Sequence, residues 1–236
     1  MSANRDPSLF LIFGHRGSPK RYPENTLASF EEALRVGADG FETDLRLLAD
    51  QTAVLFHDDE FQDAEIESLT LAQCTERGAT VERLRNLERF AGRARMILEV
   101  KRSNWSERLV EHIATWPGVI VTSFDHDFIN ELHRRSVAFD LGITYYGRII
   151  DAAAYAEKCG ATWCFPSQSA VDRTLVSSLH ERNIRVVPWT ANRADQWARL
   201  RADGCDGVIT DLPGEAVAWR DEGRDEGRRQ KAEGRS

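Results

Sequence analysis

A (β/α)8 barrel, the TIM-barrel form of the α/β class, is the fold this sequence predicts, on three observations. The chain has 236 residues with no linker to divide it, a length that α/β barrels commonly occupy as one unit. Apolar runs that end in polar residues alternate with helical segments along most of it. Nothing after the first strand supplies the Gly-rich nucleotide fingerprint of a doubly wound sheet, the competing arrangement.

The elements follow in order. Leu9 to Phe13 is the first strand and leads into His15, Arg16 and Gly17. The loop Ser18 to Glu24 ends at Asn25, a good helix N-cap. Leu27, Phe30, Ala33 and Leu34 then recur at helical spacing over Thr26 to Val36, and Gly37 closes the helix. Gly40 to Leu45 is the second strand. The next strand-like segment, Ala53 to His57, begins too soon for a parallel crossover, so it is expected to return as an antiparallel hairpin arm and to bring His57 towards the level of Asp44. Asp58 to Arg95 is mostly polar, with one helix expected over Val81 to Ala91. Six further strands are expected at Met96 to Val100, Val119 to Ser123, Leu141 to Tyr145, Thr162 to Phe165, Ile184 to Trp189 and Gly207 to Thr210. Helices between them are expected at Ser106 to Thr115, Phe128 to Arg135, Ile150 to Cys159, Val171 to Arg182 and Ala194 to Ala202. With the hairpin arm set aside, the parallel strands number eight. A last helix runs through Ala216 and Trp219. Residues 1–220 thus form one domain, and the charged tail 221–236 is expected to be flexible.

Hydrophobic residues make up 42% of the chain and charged residues 29%, the balance of a globular protein with a proper core. The net charge of −7 argues against general nucleic-acid binding, so an anionic ligand must be held by local cations. There is no secretory signal and no apolar run long enough for a transmembrane helix, which makes a cytoplasmic location the expectation. Cys74, Cys159, Cys164 and Cys205 lack metal-ligand spacing and read as reduced residues in or near the core. Oligomeric state is not legible.

In such a barrel the active site lies at the C-terminal ends of the strands. That rule gathers His15, Arg16, Glu42, Asp44, Glu99, Lys101, Ser123, Trp189 and Asp211 at one mouth, with His57 joining through the hairpin. Glu42 and Asp44 alternate on a strand and so share one side, as do Glu99 and Lys101. Two carboxylates together beside an apolar strand are costly unless a cation sits between them. Three carboxylates completed by water and a substrate oxygen suit Mg²⁺ or Ca²⁺. Two histidines beside such an ion suit a phosphodiester reaction, one imidazole removing a proton and the other returning one, while Arg16 and Lys101 neutralise the nonbridging oxygens.

The segments His15-Arg16-Gly17, Pro23-Glu24-Asn25-Thr26, Glu42-x-Asp44, His57-Asp58 and Glu99-x-Lys101, with Trp189-Thr190-Ala191-Asn192 and Gly207 to Asp211, resemble the glycerophosphodiester phosphodiesterase family from about Phe10 to Pro213. The resemblance implies a metal-dependent barrel that cleaves glycerophosphodiesters, its small-molecule substrates, to glycerol 3-phosphate and an alcohol. It implies His15 and His57 as the acid/base pair, Glu42, Asp44 and Glu99 as metal ligands, Arg16 and Lys101 on phosphate, and Trp189 in the pocket wall. It also implies attack by the substrate's own neighbouring hydroxyl, giving a cyclic phosphate. One departure concerns headgroup contacts: a longer insertion with an Arg-Thr-Thr-Gly-like stretch, carried by many bacterial relatives, is replaced here by Asp59-Glu60-Phe61-Gln62.

Blander readings stand beside these. His112, His126, His133 and His180 belong to helices or their starts. Glu42 and Asp44 alone could pair with Arg46. Glu24 is divided evenly between contacting the substrate and anchoring its loop with Asn25 as a cap, and Asp211 between a ligand and a turn residue. Two other functions compete: a lysophospholipase D, favoured by exposed apolar residues at the mouth, and a noncatalytic phosphodiester-binding barrel, which has no use for an acid/base pair.

Overall fold

The computed structural model describes residues 9–102 and 106–233, apart from the side chains of residues 106, 108 and 224–233. Eight parallel strands form its centre: β1 Leu11–Gly14, β2 Gly40–Leu47, β3 Arg95–Val100, β4 Val119–Ser123, β5 Asp140–Tyr145, β6 Trp163–Pro166, β7 Arg185–Val186 and β8 Gly207–Thr210. They pair in the order β7, β6, β5, β4, β3, β2, β1, β8. Between β7 and β8 the ring is joined by hydrogen bonds rather than by a ladder. Asp206 N donates to Val186 O at 2.9 Å, Ile209 N to Pro188 O at 2.9 Å, and Ala191 N to Ile209 O at 3.1 Å. The run read as Ile184 to Trp189 is extended, but Pro188 has no N–H to offer, so its regular part is short.

Alternation along each strand divides the core in two. Leu11, Phe13, Ile97, Ile120, Phe165 and Ile209 fill the barrel interior. Their neighbours, such as Ile12, Phe41 and Leu98, pack outwards against helices. The helices are α1 Leu27–Arg35, α2 Leu71–Glu76, α3 Ser106–Ile113, α4 His126–Arg134, α5 Ala152–Lys158, α6 Arg173–Glu181, α7 Ala194–Ala202 and α8 Pro213–Glu233. The cap of α1 is Thr26, whose side chain accepts from Ser29 N, and not Asn25. Helix α8 continues past Trp219 through Glu233, while residues 234–236 of the charged tail lie outside the described residues.

The hairpin arm is present and larger than the sequence reading. Ala53–Leu55 pairs antiparallel with Leu45 to Leu47, and Glu82–Arg83 adds a further antiparallel strand. Because Glu82 and Arg83 are spent on that pairing, the expected Val81 to Ala91 helix becomes a 3₁₀ helix over Leu84–Phe90. It nevertheless covers β2 as a barrel helix would. Phe90 meets Phe30 and Phe41 edge-on at 6.1 and 5.1 Å, over a stacked Phe30–Phe41 pair at 4.2 Å. Between the two arm strands, Ile66, Leu69 and Cys74 form a small core with Leu48 and Val54. All four cysteines are free and buried. No helix among the described residues is long and apolar enough to cross a membrane.

Candidate active site

A turn at the end of β1 begins the site. Gly14 and Gly17 are required there: a Cβ on Gly14 would sit 2.1 Å from Gly17 O, and one on Gly17, at φ +91°, 2.4 Å from Ser29 Oγ. Between them Arg16 holds a left-handed backbone at φ 53°, uncommon for a side-chain-bearing residue. Its N–H donates to Glu42 Oε2 at 3.0 Å, and its carbonyl accepts from Asn25 N at 3.1 Å and Ser29 Oγ at 3.0 Å. This conformation sends His15 and Arg16 to one cavity.

That cavity, about 220 Å³, is lined by His15, Arg16, Glu42, Asp44, His57, Glu99, Lys101 and Trp189 among others. Eight of the eleven site residues read from the sequence therefore line it, and Asp211 stands directly behind His15. Glu24 stands behind Arg16, accepting from Nη1 at 2.9 and 3.0 Å. Ser123 does not join them: its hydroxyl donates to Val100 O at 2.7 Å and accepts from Asp125 N, because the strand's alternation turns Thr122 to the cavity instead.

Glu42, Asp44 and Glu99 are buried, with one oxygen of each within 4.8 Å of the others. Burial pushes the Glu42 carboxyl up to about 8, and the charges of Asp44 and Glu99 add to it against His15 and Lys101. Glu99 is raised for the same first reason. Asp44 is lowered despite burial, by Lys101 and Arg16. Lys101 Nζ is 2.8 Å from Asp44 Oδ1 and also bonds Glu99 Oε1. The local cations thus leave part of the cluster's negative charge uncompensated, and the all-oxygen donor set fits a hard divalent ion.

His15 Nδ1 lies 2.7 Å from Asp211 Oδ1, and its Nε2 is 4.0 Å from Glu42 Oε2. A carboxylate only accepts, so Nδ1 carries the proton and Nε2 is left for the cavity. Burial works against the imidazolium, but the Asp211 hydrogen bond and the nearby charges of Glu42 and Asp211 outweigh it and, against Arg16, raise the pKa. Asp211 is itself fixed. Asn192 Nδ2 donates to its Oδ2 at 2.7 Å, while Asn192 Oδ1 accepts from Asp211 N at 2.8 Å and Thr210 Oγ1 at 2.9 Å. His57 is built alike, with Nδ1 at 2.7 Å from Asp58 Oδ1.

Several supporting residues escaped the sequence reading. Asn25, at φ 56°, turns its carboxamide to the cluster, donating to Asp44 Oδ2 at 2.9 Å and accepting from Thr43 Oγ1 at 2.7 Å. Arg46 ignores the cluster: Nη2 donates to His57 O and Asp59 Oδ1, both at 2.7 Å, and Nη1 to Glu67 Oε1 at 3.2 Å, so it clamps the loop bearing His57. Phe124 and Tyr146 also line the cavity, each directly after a barrel strand, which is the one signal that could have found them. His126 and His180 keep structural roles, on Thr144 O and Tyr155 OH, and on Asp206.

The α/β barrel thus brings an acidic cluster and two histidines to one cavity at its mouth. The chain belongs to the glycerophosphoryl diester phosphodiesterase family, whose model matches residues 15–110 and 94–215. It is similar to glycerophosphodiester phosphodiesterases of Bacillus altitudinis, 29% identical over 89% of this chain and 98% of that one, and of Caldanaerobacter subterraneus subsp. tengcongensis, 26% identical over 86% and 94%. Among solved structures, the glycerophosphodiester phosphodiesterase of Thermotoga maritima is 25% identical with a TM-score of 0.79, over 89% of this chain and 97% of that one. A phosphodiesterase of Oleispira antarctica, solved with its product sn-glycerol-3-phosphate, shares the fold at 23% identity and a TM-score of 0.80, over 90% and 97%. The protein is an enzyme, a glycerophosphodiester phosphodiesterase.

Proposed function

We propose that the chain hydrolyses glycerophosphodiesters to glycerol 3-phosphate and an alcohol by histidine acid/base catalysis, with Mg²⁺ or Ca²⁺ held by Glu42, Asp44 and Glu99. The observation that carries this is the convergence on one cavity of two histidines, His15 and His57, each with its Nδ1 on a carboxylate, beside the acidic cluster. The ion supplies Lewis-acid help at the phosphoryl oxygens. Arg16 and Lys101 contact the phosphate. Arg16 Nε supports that role, being buried without a hydrogen-bond partner although Asp44 Oδ2 is 3.3 Å away. One imidazole Nε2 takes the proton of the glycerol hydroxyl next to the ester as that oxygen bonds to phosphorus. The other gives a proton to the departing alcohol oxygen, and water then opens the cyclic phosphate with the two roles reversed. Attack from within the substrate suits a cavity whose lining, among the described residues, holds no serine or cysteine. Asp211 and Asn192 hold His15 in its tautomer, Glu24 steadies Arg16, and Trp189 walls the pocket.

The test is turnover of glycerophosphocholine, glycerophosphoethanolamine and a lysophospholipid with Mg²⁺, with Ca²⁺ and with EDTA. Turnover of the first two, lost in EDTA, is expected. Undiminished turnover in EDTA refutes the metal, exclusive turnover of the lysophospholipid makes the enzyme a lysophospholipase D, and binding without turnover makes it a noncatalytic barrel.

A further inference from the structure

The cavity has two unlike walls. The ionic groups come from β1 to β3 and the hairpin arm. The opposite wall, from β4 to β7, consists of Thr122, Phe124, Thr144, Tyr146, Phe165 and Trp189. Its two threonine hydroxyls bond each other at 2.7 Å. Phe124 and Tyr146 stack at 5.4 Å and 24°. Both stand nearly upright on Trp189, at 5.7 Å and 89° and at 4.8 Å and 70°. The indole is fixed by Nε1 donating to Phe165 O at 2.8 Å. Phe124 is 42% exposed and Tyr146 71%, so the fold leaves aromatic surface open beside the reacting groups. Among the described residues this wall has no carboxylate: the three that line the cavity are buried in the other, within reach of Arg16 and Lys101.

Resting on the function proposed above, we infer that Phe124 and Tyr146, with Trp189, form the subsite for the alcohol half of the diester and select a quaternary ammonium headgroup over a primary one. Ring faces attract a cation without offering it hydrogen-bond acceptors. A trimethylammonium group has no N–H to satisfy and loses no hydrogen bond by the exchange. A primary ammonium brings three donors. On a wall without carboxylates those donors are stripped of water and left underpaired, which is unfavourable.

The test compares three glycerophosphodiesters with the same glycerol phosphate and different alcohols: trimethylammonioethyl, aminoethyl, and the uncharged isostere 3,3-dimethylbutyl. Both kcat/KM and calorimetric affinity are read, in the presence of Mg²⁺. The trimethylammonium compound is expected to exceed each of the others by about 3- to 30-fold. The double variant Phe124→Leu/Tyr146→Leu, which keeps apolar bulk and loses two rings, should bring that preference close to unity, whereas Tyr146→Phe should retain it. Equal values for the trimethylammonium compound and its isostere, a better aminoethyl substrate, or a preference that survives in the double variant each overturn the inference. Absence of turnover with all three overturns the proposed function instead, and the affinity ratios still decide the headgroup. Absence of binding overturns both.

Discussion

The ionic and aromatic walls of the cavity are built by different means. In the first, nearly every functional group is restrained by another: Asn25 on Asp44, Asp211 and Asn192 on His15, Asp58 on His57, Arg46 on the His57 carbonyl. In the second, Trp189 is tied by a hydrogen bond while Phe124 and Tyr146 rest on ring contacts at the open mouth. Phosphoryl chemistry tolerates little displacement, so its groups are over-determined. A leaving alcohol needs only a compatible surface. Damage to the first wall should therefore reach every substrate alike, and damage to the second should change their ranking.

The largest effect should come from the imidazoles. His15→Ala and His57→Ala are each expected to lower kcat by about 10²- to 10⁴-fold on every diester tested. A variant near wild-type turnover removes that histidine from the mechanism, and a loss confined to one headgroup erases the division between the walls. Next in size is Asn25→Ala, which removes the hydrogen bond on Asp44 Oδ2: metal affinity, titrated calorimetrically, should fall about 10- to 100-fold, as for other residues that orient metal ligands. Unchanged affinity would show Asn25 to be a loop anchor only.

Arg46→Met should act on the same wall through the arm. With the His57 carbonyl and Asp59 released, kcat is expected to drop about 10-fold, since small displacements of a reacting group are costly. Metal affinity should hold, and Arg46→Lys should recover part of the rate. A fall in metal affinity equal to that of Asn25→Ala would mean that Arg46 supports the whole barrel end and not the loop alone.

The smallest effect concerns pH. The Glu42 carboxyl, held by burial at about 8 against an ordinary 4.5, keeps in the metal-free folded protein a proton that the unfolded chain releases. That contribution favours folding at low pH and is lost as pH rises through about 8. His15, also raised, has the same sign. In EDTA the melting temperature should fall from about pH 5 to about pH 8.5, and stabilisation by Mg²⁺ should grow over that window as the ion displaces protons. A melting temperature that rises with pH in EDTA, or a slope undiminished in Glu42→Gln, refutes this assignment.

Legibility in the sequence followed the same division. Glu42, Asp44 and Glu99 stood out because charge alternating on an apolar strand is expensive and demands a reason. Phe124 and Tyr146 stayed hidden, since an aromatic at the end of an apolar run reads as core. Asn25 was misplaced for a local reason: asparagine is both a good cap and tolerant of positive φ, and only the tertiary position of Asp44 decides between them. Arg46 lay in plain view two residues from Asp44, but its partners, Asp59 and Glu67, sit in the stretch whose polar sequence carries no period. The eight strands were legible from their runs, and the 3₁₀ helix over Leu84–Phe90 was not, because Glu82 and Arg83 pair with a strand far earlier in the chain.

The arm has one further consequence. Chain leaves the barrel after Leu47 and re-enters it at Arg95, and these two residues belong to strands that are direct neighbours in the sheet. Everything between them, His57 included, is an excursion that leaves the mouth of the barrel and returns at its opposite end, because the two strands run parallel and Arg95 pairs with Gly40 at the start of β2. It carries its own small core and its own strand pairs, and it is tied to the ring by the pairing of Ala53–Leu55 with β2 and by Leu84, Leu87 and Phe90 in the outer core. One excursion of the chain therefore both delivers His57 to the cavity and clothes the outer face of β2.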